Sequence, residues 1–492
     1  MAPKRRPTST SAFGVSRRES HDATAFYERF PLPETSTGDD INVNRPEVLD
    51  RIYIGDSRRM TELADDSVAL VVTSPPYFAG KEYEQALGEG HVPSSYIEYL
   101  EMLHDVFVEC RRVLEPGGRI AVNVANLGRR PYRSLAADVI RILQDDLRLL
   151  LRGEIIWVKG QGASGSCAWG SFQSPHNPVL RDLTERVVVA SNGRFDRALS
   201  RRKRADSKLP SKASIFKDEF MEATTDVWDI PPESAQRVGH PAPFPVELPQ
   251  RLIELYTYLG DVVVDPFAGS GSTAVAAVRS NRRFVCYDID PGYVEDANRR
   301  VEEERRRLRA RPNDHRSLTV ELPVKDDDNS EEDNYQARAV REGKRAKEIA
   351  YEVLKGSGFS DIREGHRFRN GVEVNFVAVD KRGKRWLFDV SGAFTRTARP
   401  GLRRTDTLWK ALGKAAVLSA SNDEACPLIL LTTDLPPRNS AGYLALKEAR
   451  GGVYHDAIDM LSREGQERLS AYASGDHRSE PIGELLLPPQ DD

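Results

Sequence analysis

Apolar residues recur along the first half of the chain in short runs. Val68 to Val72 and Val262 to Val264 are each bounded by polar residues and too short for a buried helix, which predicts strands covered on both faces. Arg51 to Ile54 predicts a further strand that stops at Gly55-Asp56. Tyr96 to Leu114 carries helical periodicity, and Glu115-Pro116-Gly117-Gly118 should end that helix before a strand over Arg119 to Val124. Ile155 to Lys159, Arg186 to Ala190 and Arg283 to Tyr287 also predict strands. Helices are expected from Ser272 and over Tyr293 to Arg311. Alternation of this kind from about 46 to 312 predicts an open α/β domain, whose ligands gather at the carboxyl ends of the strands.

A second periodic region follows. Lys344 to Lys355 and Thr407 to Leu418 predict helices, and the apolar stretches inside Gly371 to Asp380 and Arg385 to Gly392 predict strands. The chain therefore divides into a tail over 1–45, a first domain over 46–312, an acidic linker over 313–334, a second, smaller α/β domain over 335–465 and a closing tail over 466–492. A length of 492 residues agrees with more than one core.

Composition narrows the partners. A net charge of -4 with 30% charged residues gives no whole-chain basic footprint, so any nucleic-acid contact must be regional. Cys110, Cys167, Cys286 and Cys426 lie far apart without metal-ligand spacing, which speaks against a zinc site or a disulfide framework. No stretch reaches membrane-spanning length, and a soluble, cytoplasmic protein is expected.

Chemistry concentrates just after two of the predicted strands. Thr73-Ser74-Pro75-Pro76-Tyr77 follows the first, and Asp265-Pro266-Phe267-Ala268-Gly269-Ser270-Gly271-Ser272-Thr273 follows the second. The glycines allow a tight turn with close backbone approach to a ligand, and Asp288 ends the next strand roughly twenty residues on, where an acid commonly holds ribose hydroxyls. Together the two strings resemble the motifs of amino-methylating DNA methyltransferases, and their order, catalytic before cofactor, is similar to the permuted β class. The resemblance implies a Rossmann-like fold and S-adenosylmethionine as cofactor, held by Asp265, Pro266, Phe267, Gly269, Gly271, Ser272 and Asp288. His240, in a Pro-rich segment similar to one beside the cofactor's methionine end, would join them. Asp56 is either an adenine contact or the N-cap of a helix over Ser57 to Leu63.

Methyl transfer to an exocyclic amine needs a lone pair aimed in line at the methyl carbon and acceptors that draw the nitrogen toward tetrahedral geometry. Ser74 supplies a hydroxyl and Pro75 a carbonyl, stiffened by the Pro75-Pro76 pair, while Tyr77 offers a face to a flipped base, with Phe78 beside it. Serine at the first position of this motif, in the family it resembles, favours N4 of cytosine over N6 of adenine.

The irregular stretch over about 160–235 should carry target recognition, with Arg201, Arg202, Lys203 and Arg204 as a flexible basic loop able to hold phosphates of double-stranded DNA. Trp169, Phe172 and His176 are candidates to stack on bases, and Trp228 is expected to pack internally. The second domain resembles the restriction-endonuclease-like PD-(D/E)XK core. Glu373 and Asp389 match its acids and imply a possible Mg²⁺ site, but Asn375 and Ser391 stand where an acid and a lysine are usual, leaving Lys410 or Lys414 as replacements. The sequence thus predicts a site-specific DNA methyltransferase acting on cytosine N4, within restriction-modification and with a possible partner endonuclease. Alternatives are an adenine-N6 enzyme, a fused methylase-nuclease and a non-catalytic DNA-binding regulator.

Overall fold

A computed structural model describes residues 33–36, 43–76, 95–126, 132–159, 170–171, 173–180, 183–232, 244–310, 335–392, 401–421 and 426–475, with only the backbone for 335–343. In chain order the first domain contains β1 (Arg51–Ile54), β2 (Val68–Thr73), α1 (Tyr96–Val113), β3 (Leu114–Val124), α2 (Leu135–Arg141), β4 (Leu150–Val158) and β5 (Thr184–Ser191). It continues with α3 (Arg201–Asp206), α4 (Lys217–Ala223), β6 (Val227–Asp229), α5 (Glu247–Tyr256), β7 (Val262–Asp265), α6 (Ser272–Arg279), β8 (Arg283–Asp288) and α7 (Pro291–Ala310).

Eight strands form one sheet in the order β1-β8-β7-β2-β3-β5-β4-β6. β1, β8, β7, β2 and β3 run parallel, and β5 is antiparallel to both of its neighbours. The buried runs sit centrally because a side chain on every residue of β2 and β7 must find cover, and helices lie on both faces. Val71 and Val264 pack with Leu103, Val106 and Phe107 of α1, whereas Leu70, Val72 and Val263 pack with Leu252 of α5 and Ala276 of α6. β3 starts earlier than its sequence predicts. The Glu115-Pro116-Gly117-Gly118 segment stays in the strand, because Gly117 at φ 82° absorbs a register shift while Val68 still pairs with Leu114.

The second domain comprises α8 (Tyr335–Ser357), β9 (Ser360–Arg367), β10 (Glu373–Val379), β11 (Arg385–Ser391), α9 (Thr405–Ser421), β12 (Leu428–Thr432), α10 (Ala441–Ala449), β13 (Asp456–Asp459) and α11 (Arg463–Ala473). Its sheet has the order β13-β12-β11-β10-β9, antiparallel across β9-β10-β11 and parallel across β11-β12-β13. The sequence reading has no counterpart for β9, which is polar and largely exposed and is a strand only through its pairing with β10. The domain also extends past the expected boundary at 465, because α11 buries Leu469, Tyr472 and Ala473 against its core.

The two domains meet at α4. Lys217 Nζ donates to Asp434 at 2.7 Å and to Asp459 at 2.6 Å, beyond the ends of β12 and β13, and the Arg463 guanidinium lies over the Phe216 ring while pairing with Glu219. No helix among the described residues is long and apolar enough to cross a membrane.

Candidate active site

The Gly-rich loop connects β7 to α6 at the carboxyl edge of the sheet. Gly269 and Gly271 adopt φ of 47° and 78°, and a Cβ on Gly271 would stand 2.7 Å from Cβ of Ala297 on α7, so glycine is required there by conformation and by space. Asp288, at the end of β8, accepts the Gly269 N–H at 2.7 Å and the Asp290 N–H at 3.0 Å. Burial raises its carboxyl pKa, opposed by these N–H groups. Arg300 of α7, which sequence reasoning missed, donates to the Ser270 carbonyl and, at 2.9 Å, to its hydroxyl, fixing the loop from below. Ser272 Oγ donates to the Phe244 carbonyl at 2.9 Å, tying the start of α6 to the end of the Pro-rich segment.

The two motifs meet through Asp265. Its fully buried carboxylate accepts from Thr73 Oγ1 and from Thr273 Oγ1, both at 2.7 Å, and from the Phe267 N–H at 3.1 Å. Burial drives its pKa up to about 7 against those three donors, with the nearby Asp288 adding to the rise.

Ser74 follows Thr73 with Pro75 buried beside it. Asn123 of β3 places Nδ2 3.5 Å from Ser74 Oγ and 2.6 Å from Glu185 of β5, and Glu185 in turn pairs with Lys159 at 3.0 Å. Neither Asn123 nor Glu185 belongs to a recognisable motif. The only signal for them in the sequence is a polar residue interrupting an apolar strand.

Tyr77, Phe78, Trp169, Phe172 and His240 lie outside the described residues, and His176 is exposed. Asp56 sits at the carboxyl edge next to the Asp288 strand end, since the Gly55 N–H bonds the Asp288 carbonyl. The expected helix over Ser57 to Leu63 is instead a series of turns, so Asp56 is no helix cap. Its carboxylate accepts the Arg58 N–H at 3.0 Å and pairs with the Arg58 guanidinium. Trp228 is buried as expected, its indole N–H donating to the Thr225 carbonyl.

The basic string departs from expectation. Arg201 to Arg204 form α3 rather than a loop, and Arg204 is 1% exposed. Its guanidinium pairs with Glu115 at 3.1 Å and Asp261 at 2.7 Å, and Arg197 binds the same two carboxylates. Glu115 and Asp261 stand at the amino ends of β3 and β7, so this helix is anchored at the edge opposite Ser74, and Arg204 holds the domain rather than DNA. Two carboxylates facing inward there need buried cations, a nonlocal demand that a run of basic residues does not reveal.

In the second domain, Asp389 on β11 pairs with Lys414 of α9, one of the two lysines expected to approach it. Asn375 Oδ1 accepts the Val390 N–H at 2.6 Å, and Glu373 lies at the exposed start of β10 opposite Arg367. Among the described residues no three His, Cys, Asp or Glu side chains are grouped to hold a metal ion, so Glu373 and Asp389 do not assemble the expected site.

Comparison with known proteins agrees with this arrangement. A family profile described as DNA methylase matches residues 68–299. The chain is 30% identical to the Type II methyltransferase M.MthZI of Methanothermobacter thermautotrophicus, over 51% of this chain and 76% of that protein. It is 27% identical to the Type II methyltransferase M.MjaI of Methanocaldococcus jannaschii, over 49% of this chain and 87% of that one. The solved structure of a DNA modification methylase from Thermus thermophilus, TTHA0409, complexed with S-adenosyl-L-methionine, is 30% identical, covers 52% of this chain and 93% of its own, and superposes with a TM-score of 0.40. With its β2 and β7 motifs joined through Asp265, and with identity of this level across three quarters of a relative, the chain belongs to the DNA methylase family of N6 and N4 amino methyltransferases.

Proposed function

We propose that this protein is a site-specific methyltransferase that modifies N4 of cytosine in double-stranded DNA within restriction-modification. The observation that carries this reading is Ser74 at the carboxyl edge, coupled to the Gly-rich loop through Thr73 and Asp265. The loop fits S-adenosylmethionine: its glycines leave the ligand side free of Cβ atoms, and Asp288 and Asp56 end adjacent strands beside it. When bound, that cofactor supplies a methyl group from its sulfonium. Asp265, Pro266, Phe267, Gly269, Gly271 and Ser272 shape its pocket, and His240 closes the methionine end. Ser74 Oγ and the Pro75 carbonyl accept the two amine hydrogens of a flipped cytosine, drawing the nitrogen lone pair out of ring conjugation, and Tyr77 stacks on the base. Mass spectrometry of nucleosides after reaction with mixed-sequence duplex tests this. N4-methylcytosine that disappears in Ser74→Ala supports it, and N6-methyladenine overturns the base assignment.

The second domain fits a restriction-endonuclease-like module that binds DNA without cutting it. Its helix, three antiparallel strands, helix and parallel strand support that fold reading, while the pairing of Asp389 with Lys414 and the use of Asn375 on backbone argue against a Mg²⁺ site. Incubation of unmethylated DNA with Mg²⁺ or Mn²⁺ checks it: cutting that Asp389→Ala abolishes would restore the fused methylase-nuclease reading.

A further inference from the structure

We infer that Glu185 and Asn123 are positioning residues for methyl transfer: Glu185, clamped by Lys159, holds the Asn123 amide against Ser74 and sets the direction of the Ser74 acceptor lone pair. This rests on Ser74 being the acceptor for the target amine.

Ser74, Asn123, Glu185 and Lys159 end or begin four consecutive strands of the sheet, β2, β3, β5 and β4, all at the carboxyl edge. Strand alternation puts them on one face, in line with Val72, Ala121, Val187 and Trp157, which share a single apolar cluster. Pairing of Thr73 with Val122, Asn123 with Val187 and Trp157 with Glu185 brings the row together diagonally. Asn123 is 2% exposed and Glu185 8%. Closing this face would need only more valines, as on the preceding residues of the same strands. Burying an amide and a carboxylate there carries a desolvation cost that packing does not explain.

The row has a chemical use. A serine hydroxyl is a rotor that offers a neighbour either its proton or a lone pair. With an amide N–H directed at its oxygen, the Ser74 proton is turned away from Asn123, and the rotor is biased instead of free. As the target nitrogen forms its bond to the methyl carbon, and the old S–C pair stays on sulfur, the nitrogen is cationic until it releases a proton to water. A fixed carboxylate two hydrogen bonds away favours that charge. Lys159 holds Glu185 in place at its outer side.

The experiment compares single-turnover methylation, at saturating duplex and S-adenosylmethionine, with calorimetric affinity for S-adenosylmethionine. Glu185→Leu is expected to slow the transfer about 30- to 100-fold with cofactor affinity unchanged, since misplacing a catalytic group by about 1 Å has effects of this size. Glu185→Gln, which still accepts from Asn123, should recover part of the rate, a rescue that a role in packing alone would not need charge or polarity to produce. Lys159→Met, at a partly exposed position, should slow transfer about fivefold and serves if the leucine variant does not fold. Native rates in Glu185→Leu and Lys159→Met, with Ser74→Ala inactive, would overturn this inference and leave the Ser74 reading standing. Native rates in Ser74→Ala as well would overturn both. Loss of cofactor binding in folded Glu185→Leu and Glu185→Gln in parallel with rate would assign the row to structure and likewise overturn it.

Discussion

Thr73 Oγ1 donates a 2.7 Å hydrogen bond to Asp265 Oδ1, joining the last residue of β2 to the last residue of β7 across 192 positions of sequence. The residue after Thr73 is Ser74, and the residues after Asp265 form the Gly-rich loop, so one buried bond sets the spacing between the two halves of the site. Thr273 clamps the other oxygen of the same carboxylate from the first turn of α6.

Replacing Thr73 by valine keeps its shape and removes the donor. A lost hydrogen bond to a charged or strongly polar group is worth about 1.5–3 kcal/mol, so the methylation rate should fall roughly tenfold or more with the fold retained. Steady-state kinetics beside a thermal melt check this, and an unchanged rate would show that the bond does not position Ser74.

Asp265 should also leave a mark on stability. Its carboxyl pKa is raised from the ordinary 3.8 to about 7, so the folded state holds a proton that the unfolded chain has lost over that interval. The resulting stabilisation is fully present below the lower value and is lost as pH rises through the upper one. Asp265→Asn lacks this titration. Its melting temperature relative to the native protein should therefore climb between about pH 4 and 7 and level off outside that window. A difference independent of pH would contradict the assignment.

The fit of Gly271 against Ala297 predicts a reciprocal pair. Gly271→Ala forces a Cβ to within 2.7 Å of another and places alanine at φ 78°, which together should destabilise by about 1–3 kcal/mol and weaken cofactor binding. Ala297→Gly in the same chain removes the clash but not the conformational strain, so calorimetry should find affinity restored in part. No recovery at all would mean that contact with α7 is not what the loop requires.

Arg204 and Arg202 separate structural from surface charge. Arg204→Met leaves Glu115 and Asp261 with a single buried cation, and breaking such a pair is expected to lower stability by about 3–5 kcal/mol. Arg202 is exposed on the same helix, and Arg202→Ala should leave the unfolding curve in place. Denaturant titration distinguishes them, and a mild effect of Arg204→Met would return that residue to the surface.

By itself the sequence determined the α/β character of the first domain and both motifs of its site. Those features are local: a run such as Val262 to Val264 must be covered on both sides wherever it lies, and Pro75-Pro76 or Gly269 to Gly271 constrain their own backbone. Tertiary structure decided what the intervening polar residues do. Arg204 reads as a solvated charge until Glu115 and Asp261 are found beneath it, and β9 reads as loop until β10 gives it a partner. Asn123 and Glu185 stand 62 residues apart and acquire a role only because β3 and β5 pair beside Ser74. Hydrophobic burial is dictated by each residue's own chemistry, whereas the worth of a buried charge or amide depends on which partner the fold brings within hydrogen-bonding distance.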